Sequence, residues 1–290
     1  MSIYLQEFLF PSDAKEENEL HKNTKLRETF HSSVYPFKTF LYRGLDKIKF
    51  DENITILYGT NGSGKTTILN IIAEKISADR TTLYNRSQFF DDYVSICEEQ
   101  TIGSDFDKKI ITSDDIFNHI LDVRSVNENI DIKRSELLKD YMEVKYSNFK
   151  LTNMDDLEEL QKKNNIMRRS KSQYISENLL KKLPEISNGE TAFKYFTNKI
   201  DGEGVYLLDE PENSLSPTVQ LELKRFIEDS ARFYGCQFII ATHSPFLLAL
   251  NGAKVYDLDE TPVVTKKWTE LDSVKTYNNF FLEHKNEFID

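Results

Sequence analysis

The chain has 290 residues, 39% of them hydrophobic, enough for one large or two small domains with a sizeable core. Its net charge of −11 argues against a general nucleic-acid coat, which runs on Lys and Arg, and leaves only a local basic patch open. Two distant cysteines, Cys97 and Cys236, give neither a disulfide framework nor a metal-ligand spacing, and no run approaches the ~18 apolar residues of a membrane span.

Residues 1–33 are polar and of mixed charge and read as an N-terminal extension able to hold a helix. Met1 to Phe10 lacks the basic start and long apolar stretch of a secretion signal, so a reducing cytosol is expected. Val34 to Phe37 is an aromatic turn. Leu45 to Phe50 alternates apolar and polar residues, as an antiparallel strand does. Asp51-Glu52-Asn53 then turns into a second strand, Ile54–Leu57, so a hairpin is expected here.

Gly59-Thr60-Asn61-Gly62-Ser63-Gly64-Lys65-Thr66 follows and fits the phosphate-loop pattern G-x-x-x-x-G-K-[ST]. A strand precedes it, and Thr66 to Ile76 reads as a helix with Ile68, Leu69, Ile72 and Ile76 on its apolar side. The glycines let backbone N–H groups turn toward a phosphate, and the helix N-terminus adds partial positive charge. Lys65 is placed to reach the β- and γ-phosphates, and the Thr66 hydroxyl to hold Mg²⁺.

Ile110 to Asp115 reads as a strand ending in polar groups, with Ser113 there and Gln88 upstream as candidates for a γ-phosphate-sensing polar residue. Each reads equally well as a strand end or helix cap. Residues 125–183 are charged and helical in pattern, a compact helical subdomain. Its later part carries Lys162, Lys163, Arg168, Arg169, Lys171, Lys181 and Lys182 against the single acid Glu177. That is a solvated helix face, or a contact for nucleic acid or an acidic partner. After the breaker Pro184, Ser187-Asn188-Gly189-Glu190 opens another helix.

Val205 to Leu208 is a continuous apolar run ending in Asp209 and Glu210, the pattern of a parallel strand covered on both faces. Carboxylates at such a strand end lie where open α/β sheets bind ligands. Asp209 suits a Mg²⁺ role and Glu210 the activation of water. Ser216-Pro217 starts a helix running to about Phe233, and Gly235 stops it. Gln237–Ala241 is the next strand, so His243 should sit at the edge of the same site. Lys254–Leu258 is a further strand. Residues 262–290 carry no evident chemistry beyond a helix near Val274 to Leu282.

With these pieces in order, the chain resembles an ABC-type ATPase of the SMC/RecF-like branch, and more closely the small stand-alone AAA-family ATPases. The resemblance spans roughly residues 34–285 and rests on several motifs. They are Tyr35-Pro36-Phe37, the phosphate loop, Ser187 to Glu190, Leu207 to Glu212, Leu215-Ser216-Pro217 and Ala241 to Pro245. It implies an α/β ABC-type P-loop NTPase with a mixed or parallel core sheet, an N-terminal antiparallel β element and a helical subdomain. The expected division is an extension (1–33), a core lobe with the phosphate loop (34–124), a helical subdomain ending in the signature (125–200) and a second core lobe (201–290).

The resemblance implies that Gly59, Asn61, Gly62, Ser63, Gly64, Lys65, Thr66 and Thr67 bind ATP, with Mg²⁺ on Thr66 and Asp209. Glu210, His243 and Lys65 act on the γ-phosphate. Ser187, Gly189 and Glu190 resemble the signature that contacts the nucleotide of the other subunit, although Asn188 replaces the commoner glycine. Ser214, Leu215 and Ser216 resemble the loop that crosses the dimer interface. The adenine-stacking aromatic of transporter ATPases has only Tyr35, Phe37 and Tyr42 as candidates.

One phosphate loop leaves part of the γ-phosphate uncovered, so the implied assembly is a head-to-tail homodimer that buries two ATP molecules. The implied activity is ATP hydrolysis that switches a nuclease, toxin or other effector protein, or a nucleic-acid contact, in phage defence or DNA maintenance. The alternatives are the nucleotide-binding subunit of a transporter, whose membrane part would lie in another chain, and a low-turnover ATP sensor.

Overall fold

The computed structural model describes residues 3–22, 34–84, 86–103, 106–146, 187–213 and 215–288, with Ile175, Leu179 and Lys182 as isolated positions. Five runs become parallel neighbours in one six-stranded sheet. They are β3 (Ile54–Tyr58), β5 (Asp107–Thr112), β6 (Gly204–Asp209), β7 (Cys236–Ala241) and β8 (Ala253–Asp257). The order is β5-β6-β7-β3-β8-β9, with β9 (Val264–Lys266) antiparallel at the edge. Every residue of β3, β6 and β7 is buried, as expected of strands covered on both faces.

Helix α2 (Lys65–Lys75) packs on β5, β6 and β7, and α6 (Pro217–Phe233) packs on β7. The α6 start is the one read from Ser216-Pro217: the Ser216 hydroxyl accepts from Val219 N, and proline occupies the first turn. The parallel connections bring Gly59, Ser113, Glu210, Thr242 and Leu258 to the same carboxyl edge of the sheet.

The N-terminal region differs from the expected extension. Leu5–Leu9 is a strand, β1, and it is the centre of a second, antiparallel sheet ordered β2-β1-β4, with β2 at Lys47–Lys49 and β4 at Glu98–Thr101. Leu5 and Phe8 are fully buried, and Gln237 on β7 grips this strand by accepting from Tyr4 N and Leu5 N and donating to Leu5 O. The mixed charge of residues 1–33 hides these few inward positions. The expected hairpin is also corrected. Ile48 pairs with Phe8, not with β3, so the alternating strand and the phosphate-loop strand belong to different sheets. One core nonetheless joins both sheets, with Phe8, Ile48 and Phe50 beside Leu57, Leu69, Ile72, Leu207 and Ile239.

The chain divides into two compact units, Met1–Phe117 with Asn188–Asp290, and Asn118–Ser187. Helix α4 starts at Ser113 and ends at Tyr146, the counterpart of the expected helical pattern. Thr112 and Asp115 begin it with a reciprocal capping box: Asp115 Oδ2 accepts from Thr112 N (2.7 Å), and Thr112 Oγ1 accepts from Asp115 N (3.3 Å). In the second unit Lys182 pairs with Asp131 at 2.6 Å. The other cations of the basic stretch lie outside the described residues. Among the described residues no helix is long and apolar enough to cross a membrane.

Candidate active site

The phosphate loop runs from β3 into α2. Gly59 is required by close approach, because a Cβ there would lie 2.4 Å from Ser63 Oγ. Gly64 caps α2 in the left-handed region, at φ 96°. Lys65 is buried and folds over the loop, donating to Gly59 O (2.7 Å) and Thr60 O (3.2 Å).

Two side chains that the sequence reading did not single out brace this loop. Arg43 donates from Nη1 to Ser63 O (2.6 Å) and Leu258 O (3.2 Å), and from Nη2 to Gly62 O (3.3 Å). Asp259, just past β8, accepts from Thr60 N (2.9 and 3.0 Å) and from the Thr60 hydroxyl (2.9 Å).

The decisive contact joins this loop to the acidic strand end: Thr66 Oγ1 donates to Asp209 Oδ1 at 3.0 Å. Asp209 is buried and its carboxyl is raised to about 6: burial raises it most, the Thr66 hydrogen bond pulls it down, and the nearby Glu210 adds to the rise. A buried carboxylate held against a hydroxyl is a fitting pair of ligands for Mg²⁺, which takes one or two protein oxygens and completes its shell with water and phosphate.

Glu210 stands at φ 47°, a conformation that costs a non-glycine residue roughly 1–2 kcal/mol. It is fixed there by its own N–H to Ala241 O (2.9 Å), while its Oε2 accepts from Asn213 Nδ2 (3.0 Å). His243 lies on the neighbouring strand end, as the sequence order required, with Nδ1 4.0 Å from Glu210 Oε1 and half of its side chain exposed. Glu212, quoted in the sequence only as part of its motif and given no role there, is buried nearby. Its Oε1 accepts from Thr242 Oγ1 (2.7 Å), His243 N (2.8 Å) and Ser244 N (3.2 Å).

Of the two candidates for the sensing position, Ser113 follows Thr112, which is the direct lateral partner of Asp209 in the sheet. Gln88 lies in an exposed turn before α3 (Phe90–Ile96). Among the aromatics, the Tyr35 hydroxyl is hydrogen-bonded to that of Thr67, whereas Phe37 is buried edge-on against Tyr93 and Tyr42 is exposed. Gly189 and Glu190 open α5 (Asn188–Lys199), where Gly189 faces Val219 of α6. Ser187 is the last residue of the other compact unit. Ser214 lies outside the described residues, Leu215 is buried, and the Ser216 hydroxyl is used as the α6 cap.

A phosphate loop, a hydroxyl–carboxylate pair and a glutamate at one carboxyl edge of the sheet define a P-loop nucleotide-binding protein. The chain belongs to the ABC transporter family, whose model matches residues 47–213, more than half of its length. A second model, described as "AAA domain, putative AbiEii toxin, Type IV TA system", matches residues 191–249.

Solved structures similar to the chain include a nucleotide-free ATP-binding cassette from an ABC transporter, at 17% identity and TM-score 0.37, covering 81% of this chain and 89% of that one. Another is the Smc head domain with an extended coiled coil bound to the C-terminal domain of ScpA derived from Pyrococcus furiosus. It has 13% identity and TM-score 0.41, covering 97% of this chain and 99% of that one. No curated protein matches the chain in sequence.

Proposed function

We propose that this ABC-family chain is a cytosolic enzyme that binds and hydrolyses Mg-ATP in a head-to-tail homodimer, and that closing and opening of the dimer switches an effector protein or a nucleic-acid contact. The observation that carries the reading is the 3.0 Å bond between Thr66 and Asp209, which brings the triphosphate loop and the acidic strand end to one point. Mg²⁺ held by these two residues would neutralise charge on the β- and γ-phosphates.

The protein's own groups have distinct tasks. Loop N–H groups, the α2 N-terminus and Lys65 bind the phosphates. Glu210, held rigidly by Ala241 and Asn213, takes the proton of the attacking water. His243 approaches the γ-phosphate from the next strand, and Ser113 has the place of the sensing residue. Ser187, Gly189 and Glu190 of a second copy would complete the pocket. The AAA-domain match, whose description names a toxin and a Type IV TA system, supports an effector-linked defence role over a housekeeping one.

The test is phosphate release by purified protein with Mg-ATP, compared with Lys65→Ala. The variant should lose ATP binding and turnover together; unchanged steady-state hydrolysis would remove the assignment. The family description also fits a transporter subunit. Copurification with a multi-span membrane protein would favour that second reading.

A further inference from the structure

Glu210 and His243 leave neighbouring strands on separate loops, and one side chain of α6 is tied to both loops. Gln220 accepts at Oε1 from the Ser244 hydroxyl (2.6 Å) and donates from Nε2 to Leu215 O (3.0 Å). The partners fix which end of the amide faces which way. A carbonyl only accepts, so the NH₂ must face Leu215. The Ser244 hydroxyl already accepts from Phe246 N (3.2 Å) and Leu247 N (3.4 Å), so its proton is left for the amide oxygen. Ser244 and Leu215 are both buried.

Each end of this bracket continues to a group of the site. Ser244 follows His243 in the chain, and the N–H groups of both are held by Glu212 Oε1. On the other side Leu215 closes a run of turns that begins at Glu210. Leu215 N donates to Glu212 O (3.0 Å), Asn213 N to Glu210 O (3.1 Å), and Asn213 Nδ2 to Glu210 Oε2 (3.0 Å). We propose that Gln220 is a positioning residue for hydrolysis: by tying the His243 loop to the turn behind Glu210, it holds the two groups at the spacing in which both meet one γ-phosphate. Gln220 acts through these loops and not on the nucleotide. Its effect on turnover rests on the ATPase reading; the bracket itself rests on the hydrogen bonds alone.

Gln220→Met keeps the length of the side chain and removes both hydrogen bonds. Gln220→Glu keeps the acceptor for Ser244 but turns a carboxylate oxygen toward Leu215 O, so it cuts one end only. Both variants should lower kcat about tenfold, as a small displacement of a reacting group does, with KM for ATP within about twofold because the phosphate loop is untouched. In a His243→Ala background, read in single turnovers with excess protein, Gln220→Met should lower the rate less than about twofold, because the group it positions is gone. The chain has five histidines. In ¹H–¹³C spectra of histidine-labelled protein without nucleotide, the His243 ring signal is assigned by its loss in His243→Ala, and it should move in Gln220→Met.

Wild-type kcat in either variant would overturn the proposal; full activity of Gln220→Glu in particular would leave Gln220 as a local support of Ser244. An undiminished loss in the His243→Ala background, or an unmoved His243 signal, would overturn it as well. Should Gln220→Met fail to fold, Gln220→Glu carries the same measurements. Should the wild type hydrolyse no ATP, the ATPase reading fails while the His243 signal still tests the bracket.

Discussion

The two loops that meet at Thr66 and Asp209 are built in opposite ways. On one side the phosphate loop has its geometry fixed before any ligand arrives: Arg43 holds the carbonyls of Gly62 and Ser63, and Asp259 holds Thr60. On the other side Glu210 and Glu212 both approach the His243 imidazole, Asp209 stands beside Glu210 in the chain, and burial already raises Asp209 toward neutrality. The first side is a preorganised anion cradle; the second is an excess of carboxylates that a divalent cation would relieve. Binding and chemistry should therefore be separable by mutation.

The sharpest way to break this contrast is Glu210→Gln. Hydrolysis should fall by about 10²–10⁴-fold, the range for loss of a general base, while ATP affinity measured by calorimetry stays within a few-fold of wild type. Equal losses of affinity and turnover would mean that the two sides are not distinct.

Asp209 gives a second test, with a defined sign. Its folded carboxyl titrates near 6, above the ordinary value of 3.8, so the folded state binds the proton more tightly and loses stability as pH rises between those values. Asp209→Asn should therefore be more stable than wild type at pH 7.5 without Mg²⁺, by about 2–3 kcal/mol at 1.36 kcal/mol per pKa unit. The difference should shrink below pH 6 and vanish near pH 4 in thermal melts. Mg-ATP, which needs the ionised carboxylate, should reverse the order at neutral pH. A variant less stable at pH 7.5 without Mg²⁺ would refute the strained-acid account.

The smallest effect is expected on the cradle. Asp259→Ala should weaken ATP binding by about two- to tenfold, the worth of one or two hydrogen bonds, and leave turnover at saturating ATP within twofold. A larger change in turnover than in affinity would place Asp259 in the chemistry instead.

What the sequence disclosed follows the same divide. The phosphate loop, the Leu207–Glu212 run and Thr242-His243-Ser244 are contiguous, and strand-helix order alone sets them at one sheet edge. Arg43 and Asp259 escaped, as did the role of Glu212 within its motif, because each works across the fold. Asp259 meets Thr60 over 199 residues and Glu212 meets His243 over 31, and no local pattern marks either pairing. The β1 strand was missed for a similar reason. Its partners lie at Lys47–Lys49 and Glu98–Thr101, and its two fully buried positions sit in a polar stretch. The alternation of Leu45 to Phe50 gave a strand correctly, but alternation names a face, not a neighbour.

The central claim is that ATP joins two copies of the chain, each completing the pocket of the other. Light scattering of Glu210→Gln with and without Mg-ATP tests it most directly. The account expects twice the chain mass with Mg-ATP and a single chain without it; a single chain at saturating Mg-ATP, with binding confirmed in the same sample, would contradict it.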